Sequence, residues 1–296
     1  MVWHHGGVND PTLISTPATA EALDEDLVID FRDVSVIRSG RALLDQVSWQ
    51  VEVDERWIVL GPNGAGKTTL MSIASAMLFP TSGTVRIVGE TLGKVDVREL
   101  RTAVGLSSAA FAHRVPEEEK VVDLVISAGY DVLGRWKEEY DDSDRDRALE
   151  ILETVGALHL VDKEWGTLSE GERKRVLIAR SLMTDPEMLL LDEPGAGLDL
   201  GGREDLVALL SEMAVDPDAP AMVLVTHHVE EIPPGFTHGL ILDEGQVVAR
   251  GLITDVMTSE NLTRAYHQPI QLRVEEDGRY FARRAARTGR SRHRQN

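Results

Sequence analysis

Short, mainly apolar stretches at 27–31 and 34–37, on either side of Arg32-Asp33, predict β structure. In 47–51 apolar and polar positions alternate, since Val47, Trp49 and Val51 are separated by Ser48 and Gln50, and this pattern predicts a half-buried strand. Strands with one apolar face are typical of antiparallel sheets that pack one side against a core. The sequence therefore predicts an antiparallel β lobe at this end of the chain.

Fully apolar runs appear further along, at 57–60, 188–191 and 221–225. Runs without polar positions are expected for strands that are buried on both faces. Amphipathic helical stripes follow the first two of these runs. Because strands that alternate with helices form parallel sheets, the predicted fold class is α/β, with a parallel sheet at its centre.

The segment from about 107 to 182 differs from this core, since it is helical in pattern and strongly charged. Apolar positions within 121–125 and 148–155 recur at helical spacing. The stretch 135–147 is rich in Glu, Asp and Lys and is expected at the surface. We interpret the whole segment as a helical subdomain inserted into the α/β core.

The two ends of the chain stand apart from the main domain, which is expected to span 27–258. Residues 1–26 lack both a basic start and an apolar core, so they predict a disordered lead and not a secretory signal. Residues 259–282 predict a small β appendage, because apolar stretches flank the hairpin turn Asp277-Gly278. Residues 283–296 predict a disordered basic tail.

Charge and composition limit the classes of partner. The net charge is −19, and the seven arginines after residue 278 contribute +7, which leaves −26 on residues 1–277. Such an acidic body repels phosphate backbones, so a nucleic acid partner is not expected. The basic tail is either a solvated terminus or a contact for anionic lipid or RNA. Without cysteines or an apolar run of eighteen residues, the chain is expected to be cytoplasmic and to lack a membrane-spanning helix.

A glycine-rich loop stands between the run 57–60 and the first helical stripe, and it fits the pattern G-x-x-x-x-G-K-[ST]. Glycines let consecutive N–H groups surround an oxyanion, and the following helix adds its positive end. Lys67 is predicted to meet the β and γ phosphates of a nucleoside triphosphate, and the Thr68 hydroxyl is predicted to hold Mg²⁺. The predicted phosphate loop comprises Gly61, Pro62, Asn63, Gly64, Ala65, Gly66, Lys67, Thr68 and Thr69.

Charged and titratable residues follow the two later apolar runs. Asp192 and Glu193 end the run 188–191, where parallel sheets present their ligands. We predict that Asp192 reaches Mg²⁺ through water and that Glu193 polarises the attacking water, the alternative being two solvated acids. His227 follows the run 221–225 and is predicted to hydrogen-bond the γ-phosphate, the alternative being a surface histidine.

Ser169-Glu170-Gly171-Glu172 has the form of a capping box, in which Ser169 and Glu172 satisfy each other's backbone N–H groups. This predicts that a helix begins here. Capping alone does not require a glycine. A capped helix start with Gly171 beside it therefore predicts a second anion site formed by Ser169 and Gly171.

In this order the motifs resemble the nucleotide-binding domain of the ABC ATPase superfamily, over about residues 27–256. The matches are GPNGAGKTT as Walker A, LSEGE as the signature, LLLDEP as Walker B, AGLD (196–199) as the D-loop and His227 as the switch histidine. The resemblance implies Mg²⁺-dependent binding and hydrolysis of ATP. It also implies an ATP-dependent homodimer, or a pair with a related ABC domain, in which Ser169 and Gly171 serve the partner's ATP.

Three departures from the family pattern stand out. The aromatic that stacks on adenine is expected near Arg38, whose guanidinium can stack on a base instead. The second glycine and the glutamine of the signature are Glu170 and Glu172. Ser107-Ser108-Ala109 replace the loop glutamine that, in the family, links the γ-phosphate to a partner below the domain, commonly a transmembrane one. The stretches 129–136 and 171–176 resemble a less-studied single-domain branch.

Two functions are therefore compared. In the first, the chain is the energy-coupling subunit of a membrane transporter, peripheral on the cytoplasmic face of the membrane and bound to a transmembrane permease. In the second, it is a soluble single-domain ABC ATPase that acts as a nucleotide-gated regulator or assembly factor. We favour the first from the frequency of transporters in the family, whereas the missing glutamine favours the second.

Overall fold

The computed structural model describes residues 26–130 and 141–285, which form twelve strands and nine α-helices. The predicted lead up to residue 25, the stretch 131–140 and the tail from 286 lie outside the described residues. The strands are β1 (Leu27–Arg38), β2 (Arg41–Glu52), β3 (Arg56–Leu60), β4 (Ser82–Ile87), β5 (Glu90–Thr91), β6 (Val104–Ser108), β7 (Met188–Asp192), β8 (Ala221–Val225), β9 (His238–Asp243), β10 (Gln246–Leu252), β11 (Ile270–Val274) and β12 (Tyr280–Arg284). The α-helices are α1 (Lys67–Ala74), α2 (Val97–Thr102), α3 (Ala109–Ala112), α4 (Val121–Ile126), α5 (Asp142–Thr154), α6 (Glu170–Leu182), α7 (Leu200–Val215), α8 (Ile253–Val256) and α9 (Ser259–Tyr266).

The first strands form a four-stranded antiparallel sheet in the order β2-β1-β4-β5. The sequence predicted two segments around Arg32-Asp33, but β1 is one continuous strand. Its register with β2 shifts between Phe31 and Val34, and Asp33 has a left-handed φ of +50°. The Asp33 amide donates to the Ser48 hydroxyl at 2.9 Å. The polar pair is thus a bulge inside the strand, because neighbours on both sides keep it paired.

The central sheet has six strands in the order β10-β9-β3-β8-β7-β6, and all are parallel except the edge strand β10. The three strands formed by the unbroken apolar runs, β3, β7 and β8, are buried on both faces, as those runs predict. In β7, for example, Leu190 joins the core formed with the β lobe and α1, whereas Leu189 and Leu191 join the core formed with α4–α7. The α/β prediction is therefore confirmed, and helices between about 107 and 182 cover one face.

Helix α1 is shorter than its apolar stripe suggests. It ends at Ala74, Ala76 takes a left-handed φ of +53°, and the amides of Met77 and Leu78 both bond to the Ser72 carbonyl, at 2.8 and 2.9 Å. This turn directs Met77, which the sequence placed on the buried stripe, to the surface, where it is 58% exposed.

The hairpin predicted near the end of the chain is present as β11 and β12. Strand β12 continues through Arg283 and Arg284, which the sequence analysis assigned to the tail. They stay in the strand because they pair with Gln271 and Ile270, and the Arg283 guanidinium also bonds the Gln271 side chain at 3.1 Å. Arg279 connects the hairpin to the rest of the protein through a bidentate pair with Glu204 on α7.

Candidate functional site

The glycine-rich loop lies between β3 and α1 at the carboxyl edge of the central sheet. Gly66 precedes the helix with a left-handed φ of +107°, and a Cβ there would stand 2.7 Å from the Leu43 carbonyl oxygen. Only glycine fits this position. Seven predicted residues and Leu43 line a cavity of about 220 Å³ at the start of α1: Asn63, Gly64, Gly66, Lys67, Thr68, Thr69 and Glu193.

Lys67 holds the positive charge of this cavity. It is buried, and its Nζ donates to the carbonyl oxygens of Gly61 at 2.7 Å and Pro62 at 3.1 Å. Burial lowers the pKa of Lys67, while the nearby charges of Glu193 and Asp192 oppose that shift. Burial also raises the pKa of Asp192, Glu193 adds to this rise, and Lys67 opposes it. Asp192 is thus a half-buried carboxylate whose charged form would gain from a further cation.

Glu193 and His227, which the sequence analysis assigned separately to the γ-phosphate, lie together after the neighbouring strands β7 and β8. His227 Nδ1 is 3.3 Å from Glu193 Oε1, and each side chain is about one third exposed. Glu193 has a left-handed φ of +49°, a conformation that is strained for a residue with a side chain. Its amide donates to the Val225 carbonyl at 2.9 Å, which holds the turn in this conformation.

A buried carboxylate that the sequence analysis did not single out, Glu231, lies behind this pair. It is 5% exposed, accepts a hydrogen bond from the Thr226 hydroxyl and stands 3.4 Å from Arg203 Nε. A Cβ at Gly195 would lie 2.5 Å from its Oε1. Glu231 therefore links the segment before His227, the turn after Glu193 and the start of α7. The only hint of Glu231 in the sequence was an acidic residue four positions after His227.

The capping box predicted at the start of α6 is present, while the anion site at Ser169 and Gly171 stays a prediction. Ser169 caps α6, its hydroxyl accepts from the Glu172 amide at 3.3 Å, and Glu172 Oε2 accepts from the Ser169 amide at 2.8 Å. Ser169 and Gly171 line a cleft of about 730 Å³ between α6 and the segment before α7, which contributes Gly197 and Asp199. This cleft is separate from the phosphate-loop cavity of the same chain.

Arg38 and the pair Ser107-Ser108, which the sequence analysis also singled out, do not line the phosphate-loop cavity. Arg38 lies at the tip of the β1–β2 hairpin opposite Arg41 and does not line the cavity, so its role as a base contact stays a prediction. Ser107 and Ser108 end β6, where Ser108 pairs in register with Asp192. A hydroxyl thus stands on the strand beside Asp192, at the place where the family carries its glutamine.

The arrangement of a phosphate loop, a carboxylate pair and a histidine at one sheet edge agrees with comparisons to known proteins. The family model for the ABC transporter matches residues 44–196. The chain belongs to the ABC transporter family.

Relatives and solved structures support this assignment to the ABC family over most of the chain. The chain is 36% identical over 258 residues to YlmA of Bacillus subtilis strain 168, described as an uncharacterized ABC transporter ATP-binding protein, with 87% of this chain and 97% of that protein covered. CbiO1 of Clostridium perfringens, part of the ABC transporter complex cbiONQ, superposes with a TM-score of 0.70 at 26% identity over 81% of this chain and 94% of that one. A bacterial ABC transporter cassette solved as a dimer has a TM-score of 0.65 at 24% identity, covering 76% and 98% of the chains.

As a member of the ABC family, the chain is an ATP hydrolase. The cavity at the start of α1 is the predicted site of the nucleotide phosphates. In the parts of the chain that the structure describes, no helix is long and apolar enough to cross a membrane.

Proposed function

We propose that this ABC ATPase is the energy-coupling subunit of a membrane transporter, peripheral on the cytoplasmic face and dimeric when it holds ATP. One observation carries this proposal: an open groove of about 540 Å³ beside the carboxyl end of β6. The groove adjoins the place where the family's loop glutamine contacts a partner. The similarity to CbiO1, which is part of the ABC transporter complex cbiONQ, also supports it.

The lining of the groove suits a protein partner of defined chemistry. Met77 is 58% exposed there, and Phe111 lies under the Arg180 guanidinium, 4.1 Å from the ring centroid. Arg101 and Arg114 also line the groove, and no described residue contributes a carboxylate to it. In an acidic protein, an apolar groove with arginines at its side favours an amphipathic partner segment that carries acids. A cytoplasmic helix of a permease has this chemistry.

ATP would be held by the phosphate loop, with Lys67 at the β and γ phosphates. The Thr68 hydroxyl and the Asp192 carboxylate are hard oxygen donors, which fit Mg²⁺ bound together with the phosphates. No described group of three or more His, Asp or Glu residues could hold a metal by itself. The ion would supply charge neutralisation at the phosphates.

Hydrolysis would then depend on the pair of Glu193 and His227. Glu193 accepts a hydrogen bond from the attacking water and orients it toward the γ-phosphate. His227 Nδ1 lies against the Glu193 carboxylate, which fixes the ring so that Nε2 points away and is available for the γ-phosphate. Ser169 and Gly171 of the partner subunit would close the site from the other side.

The second candidate, a soluble regulator or assembly factor, is favoured by Ser107 and Ser108 in place of the glutamine. One experiment separates the two functions. The Glu193→Gln protein, tagged and supplied with ATP, is purified from detergent-solubilised membranes and from the soluble fraction of the same cells. We expect a polytopic membrane protein to co-purify.

A groove variant gives this experiment a matched control. Met77→Asp should abolish co-purification, whereas Val215→Asp, at an exposed apolar residue on α7, should not. An ATP-dependent dimer confined to the soluble fraction, with the same partners in both variants, would establish the regulator instead.

A further inference from the structure

The N-terminus of α6 carries negative charge, which is unfavourable if this end of the helix faces a nucleotide. Glu170 opens the helix where the family signature has a glycine, and its side chain is 59% exposed. A carboxylate at this position repels the phosphates that a helix N-terminus would otherwise attract. If the cleft beside Ser169 and Gly171 binds the partner's ATP, a cation must offset Glu170.

Lys174 is placed to offset that charge. It lies four residues after Glu170 and three after Gly171, so all three share one face of α6. It lines the same cleft of about 730 Å³ and is only 7% exposed. Glu170 is the acid that acts most strongly on its ammonium, ahead of Glu193 and Glu231.

Lys174 differs from its charged neighbours because they already have partners. Glu170 pairs with Arg173 at 3.3 Å and Glu172 with Lys163 at 3.1 Å. Within residues 26–130 and 141–285, the Lys174 ammonium makes no side-chain hydrogen bond and no ion pair, although its Nζ keeps some contact with solvent. Partial desolvation of an unpaired ammonium costs free energy, and burial lowers the pKa of Lys174. A polyanion in the cleft would remove that cost.

We propose that Lys174 is a nucleotide-binding residue of the signature cleft, which offsets Glu170 and contacts the triphosphate of the ATP held by the partner subunit. The inference rests on the dimer in the proposed function. An alternative is that Lys174 acts on Glu193 of its own chain, and the experiment below separates the two.

The experiment measures ATP-driven dimerisation in the Glu193→Gln background by light scattering across protein concentrations. Because this background lacks the Glu193 charge, an effect of Lys174 in it cannot pass through that carboxylate. We expect Lys174→Met to weaken the ATP-bound dimer by about tenfold or more, and Glu170→Gln added to it to recover part of the loss. Lys94→Met, at an exposed lysine of the β lobe, controls for net charge and should change nothing.

Two further measurements make the outcome decisive. ATP affinity of the monomer, measured at low protein concentration, should be unchanged in Lys174→Met, because its own phosphate loop is intact. The exposed variant Glu170→Gln alone should tighten the dimer, which tests the charge argument even if Lys174→Met folds poorly in a thermal melt. Unchanged dimerisation in a folded Lys174→Met protein, unchanged dimerisation in Glu170→Gln, or a loss of monomer affinity in Lys174→Met overturns the role of Lys174. Failure of the Glu193→Gln protein itself to dimerise with ATP overturns the proposed dimer as well.

Discussion

The protein has two helix N-termini with the motifs of a phosphate site, and they are constructed differently. Helix α1 starts from glycines, has no acid in its first turn, and keeps Lys67 on loop carbonyls. Helix α6 starts from a capping box, has Glu170 and Glu172 in its first turn, and buries Lys174 on the same face. The first site relies on backbone amides, whereas the second relies on a balance of side-chain charges. The second should therefore be more sensitive to charge substitutions than a glycine-only signature.

The largest expected effect is at α1. Lys67→Ala removes the buried cation of the phosphate loop, and we expect ATP affinity to fall by roughly 100-fold or more. Equilibrium binding of a fluorescent ATP analogue measures this. Retained affinity would contradict the phosphate-loop assignment, whereas Lys94→Met should bind as the wild type does.

Next in size is Glu193→Gln, which keeps the shape of the side chain and removes its charge. Turnover should fall by about 10²–10⁴-fold if Glu193 orients the attacking water, while ATP binding stays intact. Steady-state phosphate release and nucleotide binding, measured on the same preparation, separate these two quantities. Wild-type turnover in this variant would remove Glu193 from the mechanism.

Gly195→Ala should lower stability, because it disturbs the contacts of the buried carboxylate Glu231. The added methyl group would lie 2.5 Å from Glu231 Oε1, so the carboxylate must move away from Thr226 and Arg203. We expect a loss of about 1–3 kcal/mol in unfolding free energy, measured by urea denaturation. Gly197→Ala is a poor control because its φ is +82°, but Gly171→Ala has open space around it and should leave stability nearly unchanged.

The smallest effect concerns Asp192 and depends on pH. Its pKa is raised in the folded protein, first by burial, so its ionised form opposes folding at neutral pH. Without nucleotide or Mg²⁺, Asp192→Asn should raise the melting temperature at pH 7. The gain should disappear below about pH 4, where the carboxyl is protonated in the folded and the unfolded chain alike. A gain that is independent of pH would mean that packing, and not ionisation, is responsible.

The sequence predicted the parts of the fold that depend on local pattern. The apolar runs around 188–191 and 221–225, the loop before α1 and the cap at Ser169 all form the predicted elements. The bulge at Asp33 and the exposed Met77 were missed, because each depends on neighbours that are distant in sequence or on how a helix ends.

The same distinction holds for the site. The approach of Glu193 and His227 was predictable, because parallel strands place their carboxyl ends at one edge. The burial of Glu231 and Lys174 was not predictable, because it depends on packing between segments that are distant in sequence. For Arg38, the match to the family motif gave a position along the chain, but it did not show whether the side chain contacts the nucleotide cavity.

Arg279 connects the last hairpin to Glu204 on α7 and, at 2.7 Å, to the carbonyl oxygen of Glu230, three residues after His227. A protein shortened to its main domain would lose these two contacts of Arg279 near His227, even though all of its sequence motifs would remain. Trimming for crystallisation or for fusion to a reporter should therefore stop after residue 285. Turnover lost in a shorter version would then point to a loosened histidine segment and not to a damaged phosphate loop.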